Sequence, residues 1–272
     1  MQAEILRGHS TELLKELHIL TRDGKLNQDS QRKLKQIQHL YQFIQPILLE
    51  LNKRGTEFAI ADHGAGKSYL GFILYDLFLR SRDIGHVYGV ESRPELSDRS
   101  RLLAQRLGFA RMKFISTSVQ HSMQAEGIPE TVELVTALHA CDTATDDAVE
   151  FGLKKCAKFM VLVPCCQAEV ASALRRHKAL SLSRSPLAEL WRRPLHTREI
   201  GSQITNVLRC LYLEAQGYRV SVTELVGWEH SLKNELIMAQ WTGQRRRSAA
   251  ERLQAILSEF GLSEALSHRY HL

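Results

Sequence analysis

The sequence predicts an α/β fold in which a mostly parallel sheet carries helices on both faces and ends in an antiparallel strand. Five short apolar runs alternate with segments of helical periodicity between residues 58 and 216. Two of these runs, 132–138 and 158–163, are almost continuously apolar, which is typical of parallel strands covered on both faces. Two further strands, 218–226 and 235–241, then follow without a helix between them, and their spacing permits an antiparallel pair.

Length and composition restrict the class of protein. The 272 residues can bury a sizeable core, and no apolar run approaches the roughly 20 residues that cross a membrane. The N-terminus is polar and acidic, unlike a signal peptide, and the five cysteines are an odd number. We therefore expect a cytoplasmic protein with reduced thiols and no membrane association. The net charge of +6 permits an acidic partner such as RNA without requiring one.

The chain is predicted to divide into three units. These are a helical extension (1–54), a main domain (55–245) and a C-terminal helix packed on it (246–272). In the extension, Ser10 is a candidate N-cap of a first helix, which carries leucines on one face, and a second helix continues past Pro46.

The first strand of the main domain leads into a glycine corner. Asp62 closes the strand, Gly64 and Gly66 turn the chain, and a helix begins at Tyr69. Glycines let the backbone approach a ligand closely, and a helix N-terminus favours polar or anionic groups, so the corner is a candidate nucleotide-type site. A P-loop is disfavoured because it needs a glycine where Ala61 stands, and a dinucleotide fingerprint lacks its third glycine near Tyr69.

The next two strands bring more polar residues to the same predicted edge. The strand 86–91 ends in Glu91, 25 residues beyond Gly66, close to where an acid grips the ribose hydroxyls of a nucleotide. The third strand, 113–118, ends in Ser118, which would face an adenine, and it carries no acid there.

Polar clusters also follow the fourth and fifth strands. His139, Cys141 and Asp142 come after the fourth strand, before a helix that starts near Asp146, and the residues 164–167 come after the fifth. The carboxyl ends of parallel strands meet at one edge, where open α/β sheets bind their ligands, so these clusters are difficult to explain by packing alone.

Together these motifs resemble the class I S-adenosylmethionine (AdoMet) methyltransferases. The acid-x-Gly-x-Gly pattern at 62–66 is similar to the first motif of that family. His139-Ala-Cys-Asp142 and Pro164-Cys-Cys-Gln167 resemble a branch of methyltransferase-like proteins and, more distantly, a tRNA ribose methyltransferase. The resemblance covers about residues 55–245 and implies a Rossmann-like sheet with AdoMet as cofactor. Ser68, where many members have glycine, and the missing acid after the third strand depart from the pattern.

The resemblance implies a role for each candidate residue. Asp62 and the glycine loop would hold the methionine end of AdoMet, and Glu91 its ribose. The predicted cofactor-binding residues are Asp62, Gly64, Gly66, Glu91, Ser118 and His139. His139 and Asp142 are the predicted catalytic residues, which would orient or deprotonate an acceptor, since a histidine suits a base near neutral pH. A structural histidine bonded to nearby backbone is the alternative for His139.

Cys165 and Cys166 are expected to line the acceptor pocket as small packing residues. A covalent nucleophile is one alternative, as in cytosine-5 methyltransferases, but there the Pro-Cys pair follows the fourth strand rather than the fifth. A zinc site with Cys141 and His139 is another, but adjacent cysteines lack the Cys-x-x-Cys spacing of such sites. We therefore expect no metal.

Residues 168–200 are predicted to be an irregular basic insertion. They hold seven lysines and arginines against three acids. The arginines would contact phosphates and Trp191 would stack on a base, whereas a solvated basic surface is the alternative. The predicted substrate-binding residues are Cys165, Cys166, Gln167, Arg175, Arg176, Trp191, Arg192 and Arg193.

The last helix is predicted to start at a capping box formed by Ser248 and Glu251 and to stop at Gly261. Three arginines, Arg245–Arg247, precede it and add a second basic spot.

The predicted function is methyl transfer from AdoMet to RNA, either tRNA or rRNA. The alternatives are a methyltransferase acting on a protein side chain or small metabolite, a catalytically silent RNA-binding module with this fold, and an NTP-binding protein. AdoMet binding separates the enzyme from the silent module, which need not bind the cofactor. The acceptor atom and the oligomeric state are left open at this point.

Overall fold

A seven-stranded sheet forms the centre of the molecule in the computed structural model, which describes residues 10–26, 28–138, 140–165, 167–176, 186–225 and 235–272. The strands span Ala59–His63 (β1), His86–Glu91 (β2), Met112–Ser116 (β3), Leu134–Ala137 (β4), Phe159–Leu162 (β5), Tyr218–Glu224 (β6) and Glu235–Trp241 (β7). Their order is β3-β2-β1-β4-β5-β7-β6. Strands β1 to β5 pair in parallel, and β7 is antiparallel to both of its neighbours. The predicted fold class is confirmed.

Helices cover the sheet on both sides. They span Thr11–Glu16 (α1), Gln28–Lys53 (α2), Tyr69–Leu74 (α3), Pro94–Arg106 (α4), Val119–Ser122 (α5), Ala144–Lys154 (α6), Glu169–Arg176 (α7), Pro194–Ala215 (α8) and Arg247–Glu259 (α9). A π-helical turn, Tyr75–Leu79, extends α3, and a 3-10 helix covers Pro186–Trp191. Helix α1 begins as predicted, because the Ser10 hydroxyl accepts a hydrogen bond from the Leu13 N–H at 3.3 Å. Helix α2 continues past Pro46, also as predicted.

Alternate residues of each strand enter two separate cores. On one face, Ile60 and Val87 pack with the apolar residues of α1, α2, α3 and α4. On the other face, Ala61 and Val135 pack with those of α6, α7, α8 and α9. Both faces of the parallel strands are therefore covered, which accounts for their near-continuous apolar runs. The extension shares its core with the sheet, and the division into three units stays a prediction.

The predicted irregular character of 168–200 is wrong where the structure describes that segment. Residues 169–176 form α7, and α8 begins at Pro194, eight residues before the predicted start at Ser202. Pro194 occupies the first turn of α8, where the missing N–H of proline costs nothing and its fixed φ favours the helix. The prolines mark helix starts here rather than an irregular loop.

The predicted capping box at the last helix is also wrong. Helix α9 starts at Arg247, so Ser248 lies inside its first turn and cannot adopt the extended backbone of an N-cap. Glu251 instead accepts a hydrogen bond from Arg247 Nε at 2.9 Å. The predicted stop agrees with the structure, since α9 ends at Glu259 and Gly261 follows with a φ of +63°.

None of the helices within the described ranges is long and apolar enough to cross a membrane.

Candidate functional site

The glycine corner lies against the loop that follows β4. A Cβ added to Gly64, whose φ is +61°, would stand 3.0 Å from Ala140 Cα. A side chain at this position would therefore displace backbone. Gly66 differs, because the nearest atoms to a Cβ there, Arg93 Nη2 and Gly64 O, are 3.9 Å away. The corner is therefore closed at Gly64, on the β4 side, and has open space beside Gly66.

Asp62 is buried at the end of β1 and holds the corner together. It is 2% exposed. Thr136, its register partner on β4, donates a hydrogen bond from Oγ1 to Asp62 Oδ1 at 2.8 Å. Burial raises the pKa of Asp62 to about 6, although hydrogen bonds from Thr136 and the Gly71 backbone oppose that rise. Asp62 thus ties β1 to β4 and to the first turns of α3.

Glu91 connects the end of β2 to the same corner. Its Oε2 accepts a hydrogen bond from the Gly66 N–H at 2.7 Å, and its Oε1 accepts from the Arg93 N–H at 3.0 Å and from Arg93 Nε at 2.8 Å. Burial acts to raise the pKa of Glu91, but the hydrogen bonds and charge of Arg93 and the Gly66 N–H outweigh it and lower the pKa. Glu91 is therefore ionised near neutral pH.

This arrangement fits AdoMet. An ionised carboxylate at the end of β2 can accept hydrogen bonds from ribose hydroxyls, and the open side of Gly66 leaves room for a ligand beside it. Ser118 lies at the N-cap of α5, where its hydroxyl accepts a hydrogen bond from the His121 N–H at 3.2 Å. The fit to AdoMet depends on two observations, the ionised carboxylate of Glu91 and the open space beside Gly66.

Sequence reasoning did not single out His63, the last residue of β1. It is fully buried, its ring packs edge-on against Phe151 at 4.3 Å, and neither ring nitrogen has a hydrogen-bond partner within the described ranges. Burial lowers the pKa of His63 to about 3, so the ring is neutral. Its position between Asp62 and Gly64 could have drawn attention to it in the sequence. Its full burial depends on how distant residues pack around it, which the sequence does not indicate.

Ser68 is a strained position in the corner. Its backbone is left-handed, with a φ of +52°, and its buried hydroxyl has no partner among the described residues. The hydroxyl also lies 2.7 Å from where a Cβ on Gly71 would stand, which explains the glycine at 71. Both the strain and the unpaired hydroxyl destabilise the fold.

Replacing Ser68 by glycine is expected to raise the free energy of unfolding by about 1 kcal/mol, because relief of the left-handed strain and of the unpaired hydroxyl exceeds the extra chain entropy of glycine. Urea unfolding measures this. Ser68→Ala is the matched control: it removes the hydroxyl but keeps the strained backbone, so its gain should be smaller. A loss of stability in Ser68→Gly would show that the hydroxyl is satisfied in the folded protein.

The ends of β4 and β5 meet at a second part of the site, the acceptor edge, which we define as residues 140–142 and 163–167. Asp142 has a left-handed φ of +52°, and its Oδ1 accepts a hydrogen bond from the Ala168 N–H at 2.8 Å. Asp142 therefore caps the start of α7. Cys141 Sγ lies 3.0 Å from Cys165 Sγ. His139 and Cys166 lie outside the described residues, so their predicted roles stay predictions.

An arginine that sequence reasoning missed holds the acceptor edge. Arg209 of α8 is 1% exposed and binds Asp146 with two hydrogen bonds, Nε to Oδ1 at 2.8 Å and Nη2 to Oδ2 at 2.6 Å. Nη2 also donates to the backbone oxygen of Asp142 at 2.9 Å. Burial is the largest single influence and acts to lower the pKa of Arg209, but the charge and hydrogen bonds of Asp146, together with other nearby acidic groups, outweigh it and raise the pKa. The ion pair fixes the loop after β4.

Gln167 joins the other half of the acceptor edge to α8. It is 6% exposed, donates from Nε2 to Asn206 Oδ1 at 2.8 Å and accepts from the Ser202 hydroxyl at 2.8 Å. Asn206 in turn receives a hydrogen bond from Arg209 Nη1 at 3.2 Å. Both halves of the acceptor edge are thus tied to one helix through a buried polar network.

Four of the predicted substrate-binding arginines are exposed. Arg175 and Arg176 end α7, and Arg192 and Arg193 precede α8. Arg192 forms an ion pair with Glu189 at 2.8 Å, and both partners are largely exposed. Trp191 ends the 3-10 helix, but the placement of its side chain is not among the described features.

No cluster of three or more histidine, cysteine or acidic side chains suited to a metal ion occurs within the part of the chain that the structure describes.

The chain belongs to the methyltransferase-domain family, which it matches over residues 32–173, more than half of its length. It is accordingly an AdoMet-dependent methyltransferase. The match includes the glycine corner, Glu91 and both halves of the acceptor edge. No protein in a search of curated sequences matches the chain significantly.

Three solved structures illustrate what the chain is similar to. The Podospora anserina methyltransferase PaMTH1, bound to S-adenosylhomocysteine, has 13% identity and a TM-score of 0.48, with 89% of this chain and 93% of that chain covered. Synechocystis magnesium protoporphyrin IX methyltransferase has 12% identity and a TM-score of 0.46, with coverages of 86% and 96%. TrmK from M. capricolum, also bound to S-adenosylhomocysteine, has 10% identity and a TM-score of 0.43, with coverages of 71% and 66%. Such low values identify neither a substrate nor a reaction.

Proposed function

We propose that this methyltransferase modifies RNA, with AdoMet held between Asp62, the glycine corner and Glu91. The observation that carries the RNA assignment is that two exposed arginines end the helix that starts at the acceptor edge. Helix α7 starts at the acceptor edge, where Asp142 caps it, and ends in the exposed Arg175 and Arg176. A phosphate backbone bound by these arginines would bring its nucleotides to the edge.

The proposed chemistry is an in-line displacement at a methyl carbon. Bound AdoMet supplies the activated methyl group, so the protein has mainly to align the acceptor and exclude water. The helix cap engages Oδ1 of Asp142, and we assign the second oxygen to orienting the acceptor. His139 is assigned as the base because it stands three residues before Asp142 in the sequence and because histidine as a residue type suits proton transfer near neutral pH.

The salt dependence of RNA binding tests this proposal. Neutralising Arg175, Arg176, Arg192 and Arg193 together is expected to flatten the plot of log affinity against log salt by about 0.7 for each lost phosphate contact. Titration of a mixed RNA pool at several salt concentrations measures the slope, and calorimetry should show unchanged AdoMet affinity.

A matched control variant removes the same number of positive charges, four, at the opposite edge of the sheet. Lys53 and Arg54 precede the start of β1, and Lys154 and Lys155 precede that of β5, so all four lie at the amino end of the sheet. Neutralising them should leave the salt slope almost unchanged. Equal slopes for the wild type and both variants would instead favour a protein side chain or a metabolite as acceptor.

A further inference from the structure

Two thiols approach each other across the acceptor edge. Cys141 Sγ lies 3.0 Å from Cys165 Sγ, and neither cysteine is in a disulfide. Cys141 follows β4 and Cys165 follows β5, adjacent parallel strands whose register extends to Ala137 and Leu162. Cys141 is exposed, so a dissolved oxidant can reach the pair.

The backbone on both sides of this thiol pair is held in place. Next to Cys141, Asp142 caps α7 through its carboxylate and binds Arg209 through its backbone oxygen. On the other side, Gln167 is anchored to Asn206 and Ser202. Because the two loops are tied to α8, the sulfurs are kept close rather than meeting by chance fluctuation, which favours an intramolecular reaction between them.

We propose that Cys141 and Cys165 form a redox-modification site that closes to an intramolecular disulfide when a hydroperoxide reacts with it. In the first step the exposed Cys141 sulfur attacks an oxygen atom of the peroxide. The O–O bond breaks and an S–O bond forms; with hydrogen peroxide, the departing hydroxide takes the thiol proton and leaves as one water. In the second step the Cys165 sulfur attacks the sulfenic sulfur of Cys141: the S–S bond forms, the S–O bond breaks, and the departing hydroxide takes the Cys165 thiol proton and leaves as a second water. The two thiols together lose two electrons, and the peroxide gains them.

The other described cysteines lack one of the required properties. Cys156 is exposed but no cysteine partner lies beside it among the described residues. Cys210 is partly buried, and burial raises the pKa of its thiol to about 12, which suppresses the reactive thiolate. Cys156 and Cys210 are therefore internal controls.

The disulfide would span the place where we position the acceptor. AdoMet affinity should be preserved, because the bridge would join the loops after β4 and β5, whereas Asp62 and Glu91 lie at the ends of β1 and β2. Methyl transfer should be blocked. This consequence depends on the proposed function, whereas formation of the disulfide does not.

Peptide mapping by mass spectrometry tests the modification site. The reduced full-length protein is treated with hydrogen peroxide, its remaining thiols are alkylated, and it is digested without reductant. We expect a Cys141–Cys165 cross-link in the wild type, in Cys156→Ser and in Cys166→Ser, and its loss in Cys141→Ser and Cys165→Ser. A Cys165–Cys166 bridge, bridges between chains only, or Cys141 oxidised without any bridge would each overturn the proposal.

Transfer of a labelled methyl group to RNA tests the consequence. Peroxide should lower transfer by about tenfold or more, because a displacement of about 1 Å at a reacting site can cost about a hundredfold. Dithiothreitol should restore it, and Cys141→Ser should keep the same activity with and without peroxide. A mapped bridge with unchanged transfer would overturn the blocking role. A mapped bridge in a protein that never methylates RNA would overturn the RNA assignment and leave the disulfide site standing.

Discussion

Glu91→Ala and Asp62→Ala are each expected to weaken AdoMet binding by about tenfold or more. A hydrogen bond to a charged group contributes about 1.5–3 kcal/mol, and each 1.4 kcal/mol corresponds to about a tenfold change in affinity. Glu91→Ala is the more direct test of the two, because Glu91 is ionised and lies beside the open space at Gly66. Loss of its carboxylate removes the partner of the Gly66 N–H and the acceptor that we propose for the ribose hydroxyls. Isothermal titration calorimetry with AdoMet measures the effect.

Two controls separate cofactor contact from damage to the fold. Glu95→Ala removes an exposed acid four residues further along, at the start of α4, and should leave AdoMet affinity unchanged. Glu91→Gln keeps the shape of the side chain but loses its charge, so it should fall between the wild type and Glu91→Ala. If both alanine variants unfold at the wild-type urea concentration and bind AdoMet as tightly as the wild type, the cofactor assignment is wrong.

The residues of the proposed cofactor half could be located from the sequence because their signals are local. Asp62 and Glu91 each end a short apolar run, and Gly64 and Gly66 follow within four residues of Asp62. The strand 86–91 was predicted with the bounds that the structure gives β2. The carboxyl ends of parallel strands lie at one edge of the sheet. Locating the strand ends in the sequence was therefore enough to predict that these residues are neighbours.

The acceptor half could be predicted only in part because its contacts are distant in sequence. Arg209 lies 63 residues from Asp146, and an arginine within an amphipathic helix is ordinarily solvent-exposed. Asp142 was predicted as a catalytic residue, but nothing in the sequence indicated that its carboxylate caps α7. Pro186, Pro194 and the serines of 168–200 suggested an irregular segment, whereas the helical start at Pro194 depends on the first-turn preference of proline.

Arg209→Met is expected to lower the free energy of unfolding by about 3–5 kcal/mol. Removing one partner of a buried ion pair leaves the other charge buried without compensation, and Asp146 is only 11% exposed in its side chain. The Asp142 backbone oxygen and Asn206 Oδ1 would also each lose a donor. Urea unfolding followed by circular dichroism measures the change.

A contrast with an exposed pair shows whether burial is the cause. Arg247 and Glu251 form an ion pair of similar length, 2.9 Å, but the two side chains are 91% and 63% exposed, so Arg247→Met should cost about 0.5 kcal/mol or less. Adding Asp146→Leu to Arg209→Met removes the orphaned charge, and the double variant should recover a large part of the lost stability. Equal costs for Arg209→Met and Arg247→Met would mean that the pair with Asp146 is solvated. If the double variant regains stability without regaining methyl transfer, the ion pair is needed to position the acceptor edge and the fold can form without it.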